Sequence, residues 1–457
     1  MRNHTGWLFV FSVFQVVLSI LSVLARHTTP SPSPWDEMLI KHKWDAIPDN
    51  WVSLGQPLNG STIKLHIALR ANRENALTDV LHEVSHPRHP KHVLFTSTPP
   101  LEAYSRVPPH RFRYGEHLSR EQVAELAAPH PDTLKLVFSW LTFNGVPPSS
   151  ISTTHGGSWL TIAGVPISQA NKLLGASYEL YYHAWANETI LRTVSYALPA
   201  ALHMHVQTVV PTTAFMSTRL LQQTPLSHSG REAAPANVTS GEPSNVLSRV
   251  DTSFAGPAFL RWLYRMPLDD PAPTDRNKLG IAGLANEVPY QGDLEDFMTL
   301  FRSDVDPEAA STIVTVVPVN GGVDFQGPHS KRANMHTQYI MALTFPTPIE
   351  YYTVGGGKYG GPNGGKVGGD NYLTWLRYMI DLENVPLTIS VPYFTRELDL
   401  PEDYVKTLCN SFRDLALRGV SVLVSSGDNG VGRTVIKNSL EDDRFSTTFP
   451  ASCTCND

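Results

Sequence analysis

Short apolar segments rich in β-branched residues alternate with amphipathic helical segments through the second half of this sequence. The predicted strands are Lys278–Leu284, Thr312–Pro318, Leu387–Val391 and Arg418–Val424. The predicted helices are Asp293–Phe301, Asn334–Leu343, Tyr372–Leu382 and Glu402–Leu417. Strands that are apolar throughout and separated by helices pair in parallel, with helices covering both faces of the sheet. The alternation therefore predicts an α/β domain built on a mostly parallel sheet.

The last predicted strand runs directly into a glycine-rich turn, Ser425–Gly432, which carries the acid Asp428. Functional groups in α/β proteins collect where parallel strands end. Asp before Asn-Gly is also a common turn residue, because its side chain can bond to the local backbone. On these residues alone, Asp428 is either a functional acid or a turn residue.

Composition sets broad limits on the fold and on the class of partner. The 457 residues, 41% of them hydrophobic and 17% charged, are enough for two or three globular domains. The net charge of −6 supplies no basic surface, so nucleic-acid binding is not predicted. Residues Trp35–Phe215 mix helical and strand patterns, which predicts an α+β domain. From Met216 to Gly256 the sequence is rich in Ser, Thr, Pro, Asn and Gly, a composition typical of a linker.

The first 25 residues predict a secretory signal peptide. Arg2 and His4 precede an apolar run that ends at the small residue Ala25. A single-pass membrane anchor is the alternative, because the run is close to the shortest length that spans a bilayer. Glycosylation sequons at Asn59, Asn187 and Asn237 fit a secreted, extracellular protein that leaves the membrane once the signal is removed.

The cysteines are Cys409, Cys453 and Cys455, an odd number for an oxidising compartment. At least one free or intermolecular thiol is expected, and the pairing is left open. Cys453 and Cys455 have no second cysteine pair elsewhere, so a zinc site is not favoured.

Several segments together resemble the sedolisins, acid-acting serine-carboxyl peptidases with a subtilisin-like fold. In the first region the resemblance rests on Tyr114–Ser119, Tyr196–Ala200 and Val209–Thr213. In the second region it rests on Asn277–Ala282, Tyr404–Gly432 and Thr448–Cys453. The similarity to precursors of secreted fungal tripeptidyl peptidases implies a signal peptide at 1–25, a pro-kumamolisin-type activation domain at 35–215, a linker at 216–256 and an incomplete peptidase domain at 257–457. It also implies a subtilisin-like, mostly parallel sheet preceded by an α+β pro-domain. The expected partners are peptide or protein substrates and the chain's own pro-domain, as an intramolecular inhibitor and chaperone.

The family's catalytic helix, E-A-N-L-D-x-Q-Y, aligns without gaps with Arg332–Tyr339. In the family the glutamate is the general base and the aspartate orients it, because residues i and i+4 share one helix face. Arg332 and His336 occupy these two positions here. Arginine stays protonated and cannot accept a proton, so the base is predicted to be lost, and an exposed helix start is the simpler interpretation of both residues. The resemblance assigns Asp428 to the position of the oxyanion-hole acid.

The family's nucleophilic serine belongs to a later G-G-T-S motif, and its calcium site lies in the same C-terminal segment. The sequence reaches Asp457 without that motif, so neither a metal nor another cofactor is expected. Two hypotheses follow. The chain is either an acid tripeptidyl peptidase or endopeptidase precursor, inactive as written, or a secreted non-catalytic homologue that acts by binding.

Three further patterns receive structural interpretations. His82–His86 matches the zinc motif H-E-x-x-H, but Pro87 follows at once and favours a helix that ends there. Gly355–Gly360 matches G-x-G-x-x-G within a run too rich in glycine to begin a helix, which predicts a loop. The stretch His92–Arg113 interrupts a family motif and is predicted to be a disordered surface loop.

Overall fold

The computed structural model describes residues 33–85, 115–184, 186–216, 255–267, 270, 277–324, 326, 331–355, 370–427 and 447–453. The predictions for the signal peptide, the stretch His92–Arg113, Asn237, Asp428, most of the linker and most of the glycine-rich loop fall outside these residues. Within the described part, no helix is long and apolar enough to cross a membrane.

The N-terminal region, residues 33–216, combines antiparallel sheets with helices. Its strands are β1 (Met38–Lys43), β2 (Trp51–Gly55), β3 (Thr62–Leu69), β4 (Ile151–Thr153), β5 (Trp159–Pro166), β6 (Glu179–His183), β7 (Glu188–Arg192), β8 (Ser195–Pro199) and β9 (Val206–Val210). Its helices are α1 (Glu74–Ser85), α2 (Arg120–Leu126), α3 (Pro131–Phe143) and α4 (Ile167–Leu174). The main sheet has the order β4-β5-β3-β9, and smaller sheets join β2-β6-β7 and β1-β8. This is the predicted α+β architecture.

The main sheet of this region has two different faces because side chains alternate along each strand. Leu65 and Ile67 of β3, with Leu160 and Ile162 of β5, pack with Trp140 in the core beneath α3 and α4. The neighbouring residues of the same strands point the other way. The sheet is therefore covered on one face by its own helices and requires a second cover on the opposite face.

The C-terminal region, residues 255–453, contains the parallel sheet. Its strands are β10 (Leu279–Gly283), β11 (Val314–Val319), β12 (Ile349–Val354), β13 (Thr388–Val391), β14 (Thr395–Arg396), β15 (Ser421–Val424) and β16 (Thr448–Phe449). Its helices are α5 (Pro257–Leu263), α6 (Gln291–Phe301), α7 (Pro307–Thr312), α8 (Lys331–Thr344), α9 (Asn371–Asp381) and α10 (Glu402–Leu417). Five parallel strands lie in the order β11-β12-β10-β13-β15, which confirms the α/β prediction.

Helices cover both faces of the parallel sheet. Ile281 and Tyr351 pack in the core that includes α6 and α8. The adjacent residues Ala282 and Tyr352 pack in the core that includes α9 and α10. Consecutive residues of one strand thus enter two separate cores, which is why these strands are apolar throughout.

The two regions share one core. Ala68, Trp159 and Val210, from the uncovered face of the N-terminal sheet, are buried in the same cluster as Trp375 of α9 and Phe412 of α10. A polar contact lies nearby, where the Lys41 ammonium is 2.9 Å from a carboxylate oxygen of Asp403. The cover of the N-terminal sheet is therefore a pair of helices from the C-terminal region.

The segment that follows Tyr114 in the first motif also joins the two regions. The backbone N–H of Leu118 donates to the carbonyl of Leu417 at 2.8 Å, and both side chains are buried in one cluster. Gly419 has φ +82°, and a Cβ there would lie 2.6 Å from the ring of His117. Ser119 caps α2 in the predicted capping box with Gln122. The motif thus has a docking role that requires no catalysis.

A disulfide joins Cys409 of α10 to Cys453, which answers the pairing question left open by the sequence. On the same side of the sheet, β14 pairs with β16, and the Thr448 hydroxyl donates to the carbonyl of Ser426 at 3.0 Å. These contacts hold residues 426 and 448, on either side of the Asp428 segment, next to each other.

Candidate active site

The carboxyl edge of the parallel sheet brings together residues from three connections. Glu287 follows β10, Tyr393 follows β13, and the turn Ser425–Gly427 follows β15. Because the central strands are neighbours in the order β12-β10-β13-β15, these connections emerge side by side. Asp428 is the next residue after this turn and lies outside the described residues.

A carboxylate and two buried tyrosines form the centre of this edge. The Tyr393 hydroxyl donates to Oε2 of Glu287 at 3.3 Å. Tyr351 and Tyr393 are each 1% exposed. Burial raises the pKa of Tyr351 well above its ordinary value, and the Tyr393 hydroxyl and Glu287 raise it further. Both phenols therefore stay protonated and can act as hydrogen-bond donors.

Gly283 makes room for Tyr351. A Cβ on Gly283 would lie 2.4 Å from Cε1 of Tyr351 and 2.8 Å from its hydroxyl oxygen. A side chain at this position would force the ring away from the carboxyl end of β10. The glycine at the end of the strand is thus a requirement of the tyrosine pocket.

Arg332 acts electrostatically on the same pocket. Burial raises the pKa of Tyr393 most and Glu287 adds to the rise, whereas the positive charge of Arg332 lowers that pKa. The side chain of Arg332 is half-buried, as is that of His336. Both residues lie in the first two turns of α8, as the helix-start interpretation has it, but their side chains are partly covered and not fully exposed. Arg332 brings a guanidinium to the position where the family alignment expects a general base.

The retained residues of the catalytic-helix motif anchor α8. Asn334 accepts from the backbone N–H of Tyr290 at 2.8 Å and donates to a carboxylate oxygen of Asp293. Gln338 donates to the carbonyl of Asp293 at 2.9 Å, and Tyr339 donates to that of Ala255 at 3.1 Å. These bonds fix α8 against the beginning of α6 and the chain before α5. On the helix fixed in this way, Arg332 lies close enough to the carboxyl edge of the sheet for its charge to act on Tyr393.

The structure describes some of the remaining predicted sites, namely two glycosylation sequons and part of the H-E-x-x-H pattern. Asn59 and Asn187 are exposed in turns, where a glycan has room, and glycosylation there stays a prediction. Helix α1, Glu74–Ser85, carries the first histidine of the H-E-x-x-H pattern, and the second, His86, lies outside the described residues. Among the described residues, no group of three or more His, Cys, Asp or Glu is placed to hold a metal ion.

Sequence reasoning identified positions 332 and 336 but missed Glu287, Tyr351 and Tyr393. These three residues are far apart in sequence and meet only through the strand order. For Glu287 and Tyr393 the available signal was their position just beyond the carboxyl end of an apolar strand, where side chains of parallel sheets converge. Tyr351 lies within β12 and gave no such signal.

Comparison with known proteins gives concordant results. Residues 102–215 match the Pro-kumamolisin activation domain. The chain is 27% identical to tripeptidyl-peptidase SED2 of Arthroderma otae over 96% of its own length and 70% of that protein. It is 29% identical to the probable tripeptidyl-peptidase SED3 of Trichophyton verrucosum over 89% of its length and 64% of that protein.

Among solved structures, a Pseudomonas sedolisin (serine-carboxyl proteinase), complexed with two molecules of pseudo-iodotyrostatin, matches with a TM-score of 0.31. The match has 18% identity and covers 44% of this chain and 51% of that chain. The activation-domain match and the relatives that span nearly the whole chain show that it is similar to the sedolisin family.

Proposed function

We propose that this chain is a secreted homologue of acid serine-type tripeptidyl peptidase precursors, and that the 457-residue form binds peptides at the carboxyl edge of its parallel sheet without hydrolysing them. The observation that carries the proposal is Arg332, half-buried at the base position with its charge acting on Tyr393. A guanidinium can hold a carboxylate through two hydrogen bonds but cannot take a proton from a nucleophile. The names of the relatives support peptides as the class of ligand.

The first experiment measures release of N-terminal tripeptides by the purified 457-residue chain between about pH 3 and 6, where carboxyl groups titrate. We expect no turnover, because loss of a nucleophile or its base removes on the order of 10⁶-fold of the rate in a serine peptidase. We expect Arg332→Glu combined with His336→Asp to stay inactive in this form. Clear turnover that Asp428→Ala abolishes would instead support a functional peptidase.

The second experiment measures peptide binding by fluorescence anisotropy with labelled tripeptides and longer peptides. Arg332→Ala is expected to raise the Kd about tenfold or more, the loss of one charge-assisted contact. Arg73→Ala, an exposed arginine of the N-terminal region, is the matched control. Equal affinities for the wild type and both variants would contradict a binding role for this edge.

A further inference from the structure

The surface that joins the two regions contains a histidine. We define the docking face as the side chains of β3, β5 and β9 that point away from α3 and α4. These are His66, Ala68, Trp159, Thr161 and Val210. In the sheet, His66 lies between Thr161 of β5 and Val210 of β9. Three of these five side chains are apolar, and His66 is the only one of the five that titrates.

Arg377 of α9 inserts into the docking face at this ring. Its Nη1 donates to Nδ1 of His66, and its Nη2 donates to Oγ1 of Thr161 at 2.9 Å. The guanidinium carbon lies 5.4 Å from the ring centroid of Trp159, a cation–π contact. One arginine of the C-terminal region thus contacts three residues of the docking face.

These contacts require a neutral imidazole. Nδ1 of His66 also lies 3.0 Å from Oγ1 of Thr161, whose lone pair receives the bond from Arg377, so the threonine hydroxyl proton is free to point at the ring. Nδ1 consequently faces N–H and O–H donors and must offer a lone pair, with the ring proton on Nε2. A proton on Nδ1 would break the bond to Arg377 and place an imidazolium against a guanidinium.

The charges around His66 agree with this conclusion. Burial lowers the pKa of His66 from 6.5 to about 3, with Arg377 next in importance and Lys64 of the same strand contributing. Thr161 and Trp159 on β5 and Val210 on β9 do not ionise. On α9, burial lowers the pKa of Arg377, and the negative charge of Asp381 opposes that shift.

The neighbouring helix α10 contributes a group, Asp414, whose protonation has the opposite effect on docking. Asp414 lines the cavity between the regions together with Trp159 and Arg377. Burial raises the pKa of Asp414 to about 6, so docking shifts this carboxyl group toward its neutral form. Acid therefore favours docking at Asp414 and opposes it at His66, and a test must separate the two residues.

We propose that the His66–Arg377 contact makes the docking of the N-terminal region on α9 and α10 sensitive to pH, with protonation of His66 weakening the contact. The inference concerns the joint between the regions and does not depend on whether the chain hydrolyses peptides. It assigns a regulatory position to a histidine outside the candidate active site.

The sign and size of the effect follow from linkage. Because docking lowers the histidine pKa, the contribution of His66 is complete above pH 6.5 and is lost as the pH falls toward 3. Between neutral pH and pH 4.5, protonation of His66 alone raises the ratio of undocked to docked protein about 100-fold.

The test uses the full chain and hydrogen exchange measured by mass spectrometry from pH 4.5 to 7.5, corrected for intrinsic exchange rates. We expect amide protection of β3 and α9 to fall about 100-fold more across this range in the wild type than in His66→Gln, whose side chain accepts a hydrogen bond but does not titrate here. The matched control is His205→Gln, because His205 contacts Thr133 within the N-terminal region at 2.7 Å. This control should keep the wild-type pH profile, and any contribution from Asp414 is common to all three proteins.

A second measurement needs no variant. Exchange of the histidine C2–H, followed by mass spectrometry, reports the pKa of each imidazole in the wild-type chain. We expect His66 to titrate well below pH 5, and Arg377→Met to move its pKa toward 6.5. An imidazole at position 66 that titrates near 6.5 in the wild type would overturn the proposal. So would a His66→Gln protein whose pH profile of protection coincides with that of the wild type.

Discussion

Arg332 lies half-buried beside a pocket in which the hydroxyl of Tyr393 donates to Glu287, and its charge acts on that hydroxyl. The residues around it in the motif serve a different purpose. Asn334 and Gln338 bond to Tyr290 and Asp293 and so hold α8 in place. The motif residues that match the family are therefore explained by their role in packing α8 against its neighbours. These residues are Ala333, Asn334, Gln338 and Tyr339.

The seating of α8 can be tested at Asn334, which is 7% exposed. We expect Asn334→Ala to lower the free energy of unfolding by about 1–3 kcal/mol, because the N–H of Tyr290 and a carboxylate oxygen of Asp293 lose their buried partner. Urea denaturation measures the change. Met335→Ala, at a neighbouring side chain that is 42% exposed, is the control and should stay within about 0.5 kcal/mol. Equal losses at both positions would mean that the bonds of Asn334 do not hold the helix.

Asp414 predicts a pH dependence of stability. Burial raises its pKa from 3.8 to about 6, while Arg413, with Nη2 3.6 Å from Oδ1, opposes the rise. Its contribution to stability is therefore present at low pH and lost as the pH rises through about 6. Asp414→Asn should exceed the wild type in unfolding free energy by up to about 3 kcal/mol at pH 8, and the difference should disappear below about pH 4.

Thermal or urea unfolding at a series of pH values measures this difference. Asp79→Asn, at an exposed acid on α1, is the matched control and should show no such trend. A difference that grows as the pH falls would contradict the assigned direction of the Asp414 pKa.

At the scale of elements, helix α10 has the bounds that the sequence predicts, Glu402–Leu417, because a proline precedes it and an amphipathic pattern fills it. Strand β12 is missing from the strands that the sequence predicts, although it lies near the centre of the sheet. Glu350 interrupts its apolar pattern. In the fold that carboxylate bonds to the Lys278 ammonium at 2.6 Å and to the Tyr352 hydroxyl. A partner brought by the neighbouring strand makes the acid acceptable, and no local pattern shows this.

The candidate site was also predictable only where a local motif describes it. Positions 332 and 336 follow from a local motif, and both lie on α8. The pocket of Glu287, Tyr351 and Tyr393 depends on which strands become neighbours, and β12 must be identified before that order can be written. The prediction was limited because the order of the strands in the sheet cannot be read from local propensities.

The Cys409–Cys453 bond closes a chain segment of 44 residues onto α10. In the chain-entropy model such a cross-link stabilises the folded state by about 4 kcal/mol. We expect Cys409→Ser to lower the unfolding free energy of the chain by about that amount in urea. Cys455→Ser, which leaves the described bond in place, is the control. A comparable loss in the control would indicate that Cys455 takes part in the pairing.

At the scale of the whole molecule, the shared core predicts that the two regions unfold together. Trp159 is 7% exposed and packs in the cluster that contains Trp375 and Phe412. Trp159→Ala should lower the free energy of unfolding by about 3–5 kcal/mol and should separate one calorimetric transition into two. The substitution leaves a cavity in the core shared by the two regions and removes the ring that Arg377 contacts. Met204→Ala, at a side chain of the same region that is 75% exposed, should leave the transition unchanged. Two separate transitions already present in the wild type would show that the shared core does not couple the regions.

The docking face also has a consequence for the order of synthesis. Trp159 and Val210 leave the ribosome before the helices that cover them, and roughly 200 residues separate Val210 from the end of α10. At about 5–20 residues per second, this apolar surface stays uncovered for about 10–40 seconds. We expect the nascent chain in that interval to be the stage at which aggregation competes with folding.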